Sequence, residues 1–467
     1  MTRPARRSPR PAPASGRTGA REELVLDVGA PAHGGHCVAR TVEDPTGRVI
    51  FVRHALPGER VRAVLTQKTS KIWRADAVEV LSASPDRVTP VWPEAGAGGV
   101  GGGELSHVAL GAQRTWKRWV LADCLRRIGG EDVAQAVTEA AGGTAVSVEA
   151  LPNEVRAEAS PDARTRALAG TATRTRLSLT ADTEGRPGMH AFRSSTVLDP
   201  GGLPLAVEAI RDLGLTERAR WRRLTRPGSR LEAVAPSAGA PLVLVDGRVL
   251  TAEGRDTGRR RVDEVVDASA LGLGELRYSL HADGFWQVHK DAPTVLVEAV
   301  VRAAVTGSPA ASSQPVARAE GMSVLELYSG AGLFTLPLAA LGARVTSLEG
   351  SAQAVGDARR TLHEHEDVSL RTGRVTATAV GELAHLDGRG TDVVVLDPPR
   401  QGAGRQVVEA IAAAGARRVV LVACDPAALA RDLGALLRSG YTVGAVRALD
   451  MFPHTHHFET VAVLERT

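Results

Sequence analysis

Cys424 directly follows the apolar run Val419-Val420-Leu421-Val422-Ala423 and precedes Asp425-Pro426. A thiolate is a strong nucleophile, whereas the same sulfur inside a core is only a small hydrophobe. The neighbours favour the reactive reading. Another apolar run ends in Asp397-Pro398-Pro399-Arg400, and a carboxylate, Glu459, closes the segment Met451-Phe452-Pro453-His454-Thr455-His456-His457-Phe458-Glu459. A thiol that adds to an electrophilic carbon and a carboxylate that later removes a proton make a pair suited to covalent catalysis, so Cys424 and Glu459 are the candidate nucleophile and general base. Asp397 reads either as a structural cap or as a polar group aimed at a ligand. The three histidines lack an HExxH helix or any other dense ligand cluster, so no metal site is expected.

A second group of residues points to a nucleoside. The run Val324-Leu325-Glu326-Leu327-Tyr328 leads into Ser329-Gly330-Ala331-Gly332, and the next apolar run ends in Glu349, 21 residues after Tyr328. Two glycines let the backbone turn sharply against a ligand, and a carboxylate one strand further on can accept both ribose hydroxyls. Dinucleotide and adenosylmethionine sites share that arrangement. Position 335 is Thr, so the GxGxxG dinucleotide pattern is not met and the balance moves away from NAD.

These residues need a scaffold that brings strand ends together. SVLELY, RVTSLE, DVVVLDPP and RVVLVAC alternate with helix-like stretches at 351–365 and 403–415, which predicts a parallel sheet covered on both faces, with ligands beyond the carboxyl ends of its strands. Upstream, LVLDVG, VIFVRH, VRAVLT and ADAVEVL are separated by turn signals and predict a small β-barrel. The segment from Pro85 to Glu104 is proline-rich and then glycine-rich, and reads as a linker or binding loop rather than a core element. A helix is expected over Arg114 to Ile128, and an α+β domain through about residue 290.

Composition excludes several classes. A 43% hydrophobic content in 467 residues rules out disorder throughout. No apolar run of about 18 residues occurs, so no transmembrane span is expected. Cys37, Cys124 and Cys424 are too few and too scattered for a disulfide scaffold or a cysteine-built metal site, which makes a reducing, cytoplasmic setting the expectation. The net charge is +4, yet residues 1–21 carry six arginines and no acid, so the remainder sums to −2. The basic pI alone is therefore no nucleic-acid signature of the folded part. Residues 22–82 contain eight basic and eight acidic side chains, and Arg53, Lys68, Lys71 and Arg74 read either as phosphate contacts or as ordinary solvated charges.

Taken with their order along the chain, these motifs resemble the uracil-C5 RNA methyltransferases that act on ribosomal RNA or on transfer RNA. The resemblance runs from about residue 22 to the end. Residues 1–21, arginine- and proline-rich, read from composition as a disordered basic arm; the resemblance implies a TRAM-like RNA-binding barrel (22–84), a linker, helix and central α+β domain (85–290), and a Rossmann-like class I methyltransferase domain (291–467). The family's F-x-Q-V-N segment is Phe285-Trp286-Gln287-Val288-His289 here, so Gln287 is implied in cofactor binding together with Tyr328, Gly330, Gly332, Glu349 and Asp397. Cys424 and Glu459 match the catalytic pair, S-adenosylmethionine is the implied cofactor and RNA the implied partner, with no obligate protein partner.

Three departures stand out. Many relatives hold a [4Fe–4S] cluster through a C-x5-C-x2-C run, but Val100-Gly101-Gly102-Gly103 replaces its CGGC, so no cluster is expected. The family's S-C-N-P is Ala423-Cys424-Asp425-Pro426, which sets an acid beside the nucleophile and, if ionised, disfavours the thiolate. Leu333 stands where many relatives have Asn. Two rival readings keep the fold: an RNA-binding module without catalysis, and a methyltransferase for another position or molecule, which would need no covalent cysteine.

Overall fold

The computed structural model describes residues 22–386, 388 and 390–467, and the basic arm expected at 1–21 lies outside them. Five strands, β1 (Glu23–Ala32), β2 (His36–Thr41), β3 (Ile50–Arg53), β4 (Arg60–Lys68) and β5 (Trp73–Ser82), close into a barrel in the order β1-β2-β3-β5-β4. Buried residues recur at every second position in β1 to β4, as in Leu26/Val28, Cys37/Ala39, Ile50/Val52 and Val61/Ala63, because one face of each strand lines the interior, while β5 buries Ala75, Asp76 and Ala77 in succession. Four of the strands coincide with apolar runs. The fifth, β2, begins at His36 immediately after Gly34-Gly35 and has no run of its own. Arg53 is not free for phosphate: it is buried, forms two 2.9 Å hydrogen bonds to Asp76 and lies 3.6 Å over the Phe192 ring.

The glycine-rich stretch is a loop, as expected, but it is packed. Trp92, Ala95 and Val100 are buried with Leu179, Leu203 and Leu231 of the central domain, and the Trp92 indole N–H donates to the Pro200 carbonyl at 2.7 Å. A methyl group at Gly103 would lie 2.6 Å from the Trp92 ring, which explains a glycine there by close approach rather than by mobility.

Beyond this loop a two-residue strand, β6 (Val148–Glu149), belongs to a distant sheet. The central domain is then built on β7 (Arg176–Ala181), β8 (Pro187–His190), β9 (Val197–Leu198), β10 (Arg230–Val234), β11 (Leu242–Val245) and β12 (Arg248–Thr251), an antiparallel sheet in the order β12-β11-β10-β7-β8-β9. A hairpin of β13 (Arg261–Asp267) and β14 (Glu275–His281) follows.

The largest sheet has eight strands. It contains β15 (Ser323–Leu327), β16 (Arg344–Glu349), β17 (Val368–Thr372), β18 (Val393–Leu396), β19 (Arg418–Ala423), β20 (Tyr441–Leu449) and β21 (Glu459–Arg466), in the order β17-β16-β15-β18-β19-β21-β20-β6. All residues of β18 and β19 are buried, as a strand covered on both faces requires. The sheet departs from the all-parallel expectation in one place: β21 runs antiparallel between β19 and β20. A linear division at residue 290 also fails to follow the core. β6 pairs with β20, and Val262, Val266, Tyr278 and Leu280 of the hairpin pack with the helix Ala292–Thr306. Sequence order hides this because the central domain is inserted between elements of the larger one.

One helix organises the junction. It spans Leu110–Cys124, four residues earlier than its apolar pattern suggests, and passes into a single π-helical turn, Leu125–Gly129. Trp116, Val120 and Cys124 face the barrel, while Leu121 and Leu125 face the large sheet. Its polar residues Gln113 and Lys117 are fully buried. The Lys117 ammonium donates to Asp450 and to the Phe452 carbonyl, and Gln113 brackets His454 by accepting from its N–H at 2.7 Å while its own amide lies 3.2 Å from Nδ1. Burial pulls the Lys117 pKa down and Asp450 opposes the shift. Lys117→Ala leaves a buried carboxylate without its counterion and is expected to cost about 3–5 kcal/mol. The combined change Lys117→Met/Asp450→Leu should recover much of that loss, both read as urea midpoints at constant slope.

Candidate active site

Five strand ends converge on one edge of the large sheet. Tyr328 follows β15, Glu349 ends β16, Asp397 follows β18, Cys424 follows β19, and Glu459 begins β21. The last placement depends on strand direction. Because β21 is antiparallel to β19, its first residue comes to the carboxyl end of the strand that delivers Cys424. Ala423 pairs with Thr460, the Thr460 hydroxyl donates to the Ala423 carbonyl at 2.8 Å, and Cys424 and Glu459 are the next residues outward.

Cys424 is partly exposed, whereas Cys37 and Cys124 are buried. Behind it the helix Pro426–Arg438 starts with proline in its first turn and Asp425 as its cap, whose side chain accepts from the Ala428 N–H at 2.9 Å. Burial pushes the Cys424 thiol up to about 12, Glu459 and Asp397 push it the same way, and Arg400 opposes them. Burial also raises Asp397 to about 7, and burial together with the Asp397 charge holds Glu459 well above the ordinary carboxylate range. Glu459 Oε1 is buried with no hydrogen-bond partner, an orphan acceptor at the site's centre.

The nucleoside side of the site is also formed. Glu349 accepts from the Gly330 N–H through Oε2 at 3.0 Å and from the Ser351 N–H through Oε1 at 2.7 Å. Each oxygen keeps a lone pair for a further donor. Tyr328 has φ +61°, a rare conformation for a large side chain, and Gly330 and Gly332 follow at +55° and +87°. A methyl group at Gly330 would meet nothing within 4 Å, so the turn faces open space that a ligand can approach. The Tyr278 hydroxyl donates to the Leu333 carbonyl at 3.0 Å, and Gln353 donates to Asp283 at 2.9 Å, which ties the segment carrying Gln287 to the glycine turn and to the helix Ala352–Thr361. Gln287 is buried, and Phe285 beside it is 78% exposed. His289 is committed to structure: it is buried 3.3 Å from Glu154 and accepts from the Asp291 N–H.

Glu326 was not singled out by its motif. It is fully buried on β15, accepts from the Thr335 hydroxyl, leaves Oε1 without a partner, and is raised to about 8 by burial. An acid inside the apolar run SVLEL was the available signal. Thr335, which breaks the dinucleotide pattern, is the residue that satisfies it.

Of the three histidines, His454 is a buried structural residue with φ +65°, held by Gln113 and the Ala169 carbonyl. His456 is hydrogen-bonded to Glu104, and its ring lies 3.9 Å from that of His457 at 38°. Glu104, His456 and His457 bring one ligand atom each within 4.8 Å of the others. Glu104 engages His456 Nδ1 directly, so this contact is accounted for as a hydrogen bond. Among the described residues no helix is long and apolar enough to cross a membrane.

The chain resembles known proteins in sequence and in fold. Residues 311–467 match the tRNA (Uracil-5-)-methyltransferase family, and residues 20–78 match the TRAM domain. An uncharacterized RNA methyltransferase of Streptomyces avermitilis is 38% identical over 461 residues, covering 95% of this chain and 98% of its own. The 23S rRNA (uracil(1939)-C(5))-methyltransferase RlmD of Halomonas elongata is 32% identical, with 98% and 92% covered. The fold is similar to that of the Pyrococcus abyssi tRNA (uracil-54, C5)-methyltransferase solved with S-adenosyl-L-homocysteine, at TM-score 0.61 and 20% identity, over 96% of this chain and all of that one. The chain belongs to the TRAM-domain-containing, S-adenosylmethionine-dependent uracil-C5 RNA methyltransferases, enzymes that methylate carbon 5 of uracil in RNA.

Proposed function

We propose that Cys424 and Glu459 carry out uracil-C5 methylation through a covalent uridine adduct, and that the substrate is ribosomal RNA. The observation that carries the mechanism is the emergence of these two residues side by side from paired strands. Carbon 5 of uracil is too weak a nucleophile to attack a methylsulfonium unaided. Addition of the Cys424 thiolate to carbon 6 forms the S–C6 bond and moves the C5=C6 electrons towards carbon 5 and the O4 enolate. S-adenosylmethionine supplies an electrophilic methyl group on a positively charged sulfonium. The orphan Glu459 carboxylate, once ionised, is a stronger base than an exposed one because burial penalises its charge. It takes the carbon 5 proton, the C5=C6 bond re-forms, and the thiolate leaves.

Around that centre Glu349 receives the ribose hydroxyls, Tyr328, Gly330 and Gly332 shape the turn against the adenosyl group, and Gln287 and Asp397 supply polar contacts to cofactor or base. The fit rests on the two outward lone pairs of Glu349 and on the open space at Gly330. The ribosomal assignment is supported by whole-length relatives whose named target is 23S rRNA. The reactive uridine must leave its stack to reach a sheet-end site, which costs about a few kcal/mol for a paired base and less in a loop.

Mapping 5-methyluridine in ribosomal and transfer RNA after deletion of the gene should show one lost ribosomal site, and loss confined to transfer RNA would replace that assignment. Cys424→Ala should abolish labelled-methyl transfer, and RNA containing 5-fluorouridine should form an SDS-resistant adduct with the intact enzyme, since carbon 5 then has no proton to lose. Methylation by Cys424→Ala would rule the adduct out. Glu459→Gln should let the adduct accumulate on ordinary uridine. Glu349→Ala should weaken S-adenosylhomocysteine binding roughly 10- to 100-fold by calorimetry, as expected for hydrogen bonds to a charged acceptor worth about 1.5–3 kcal/mol.

A further inference from the structure

Asp425 follows the nucleophile and has both carboxylate oxygens engaged. Oδ1 accepts from Ala428 as the helix cap, and Oδ2 lies 2.9 Å from Nε2 of His33. His33 comes from the barrel, in the turn between β1 and β2, where Gly34 and Gly35 take φ of +91° and +76°. A single residue of the RNA-binding barrel thus reaches the residue beside the reactive thiol. Docking of the barrel does not depend on it: Trp116, Val120 and Cys124 pack into the barrel core, with Ala427 against them. The side chains of His33 and Asp425 are 46% and 22% exposed, so the pair contributes little to stability as a surface ion pair.

We propose that His33 is a positioning residue for methyl transfer, holding the Asp425 carboxylate on the helix cap and compensating its charge so that it does not oppose ionisation of Cys424. The proposal rests on reading Cys424 as the nucleophile. The groups that face the thiol electrostatically are Glu459, Asp397 and Asp425 on the acidic side and Arg400 on the basic side. Those facing His33 are Asp425 and Arg431, and Asp425 also faces Cys124. The hydrogen bond to Asp425 raises the His33 pKa against burial and Arg431. Burial works against Asp425, but the bonds from His33 and Ala428 bring its pKa below the ordinary value. Below the raised His33 pKa the pair is imidazolium and carboxylate. As pH climbs through that pKa the proton leaves, and the Asp425 charge next to the thiol is left uncompensated.

The test is alkylation of the full-length protein by iodoacetamide across pH, resolved for each cysteine by mass spectrometry, in the wild type, His33→Ala, Asp425→Asn and the double variant. His33→Ala should slow Cys424 alkylation roughly threefold near neutral pH and move its rise to higher pH, as expected for a nearby charge partly screened by solvent. In the Asp425→Asn background the His33 change should have no further effect, and kcat for methyl transfer should follow the same order with KM for RNA unchanged. An unaltered pH profile in His33→Ala, or a loss that persists with Asp425→Asn, overturns the proposal. Should His33→Ala loosen the barrel, buried Cys37 becomes reactive and the comparison passes to His33→Lys: a wild-type rate supports charge compensation, and a rate as low as that of the alanine variant counts against it. Methyl transfer by Cys424→Ala would remove the nucleophile reading by itself, whatever the alkylation profiles show.

Discussion

The structure depends on one strand running against its neighbours. Had β21 continued the parallel pattern of β15 to β19, Glu459 would lie at the amino edge of the sheet, a full strand length from Cys424. The antiparallel insertion brings the two together and fixes their register through the Ala423–Thr460 pair. A slip by one residue would turn every side chain of β21 to the other face. The connection preceding β21 is fixed as firmly, since Lys117 grips its first residue, Asp450, and Gln113 grips His454. A helix from the first third of the chain therefore sets the position of a residue near its end.

The candidate site is rich in acids. Glu326, Glu349, Asp397, Asp425 and Glu459 lie at or near one sheet edge, and burial raises three of them, Glu326 to about 8, Asp397 to about 7 and Glu459 well above the ordinary carboxylate range. Buried carboxyls that keep their protons avoid the cost of unpaired charge, and they remain able to ionise when a cation approaches. Such an edge suits a positively charged sulfonium. Its disadvantage is that every nearby carboxylate makes the thiol harder to ionise, which gives compensation at Asp425 its significance.

Much of this was legible from residue order. Apolar runs located four of the five barrel strands and four of the parallel strands, β15, β16, β18 and β19 but not β17, and the polar residues at their ends are the ones the sheet gathers. What the sequence did not disclose has physical reasons. β2 is short and starts with His36, so no apolar run announces it. β20 and β21 alternate with the same residue types as the rest, and the direction of a strand is not written in its composition. Gln113, Lys117 and Glu326 look like surface residues until their partners are found: the Leu105 and Val108 carbonyls just ahead of Gln113's own helix, Asp450 far along the chain, and Thr335 on the next helix. The glycine-rich loop misled for the opposite reason: glycine there serves tight packing against Trp92, and entropy alone cannot distinguish the two uses.

The pairing of β6 with β20 has a mechanical consequence. The chain leaves the large sheet after Glu149, builds the six-stranded central sheet, and re-enters the same core through the hairpin that begins at Arg261. A lobe joined to its neighbour by one tether can swivel about a hinge, but a lobe anchored at both ends can only slide by small amounts against the surface on which it sits. The central sheet is thus tethered at both ends to the core that carries the candidate site, which limits its movement to small shear.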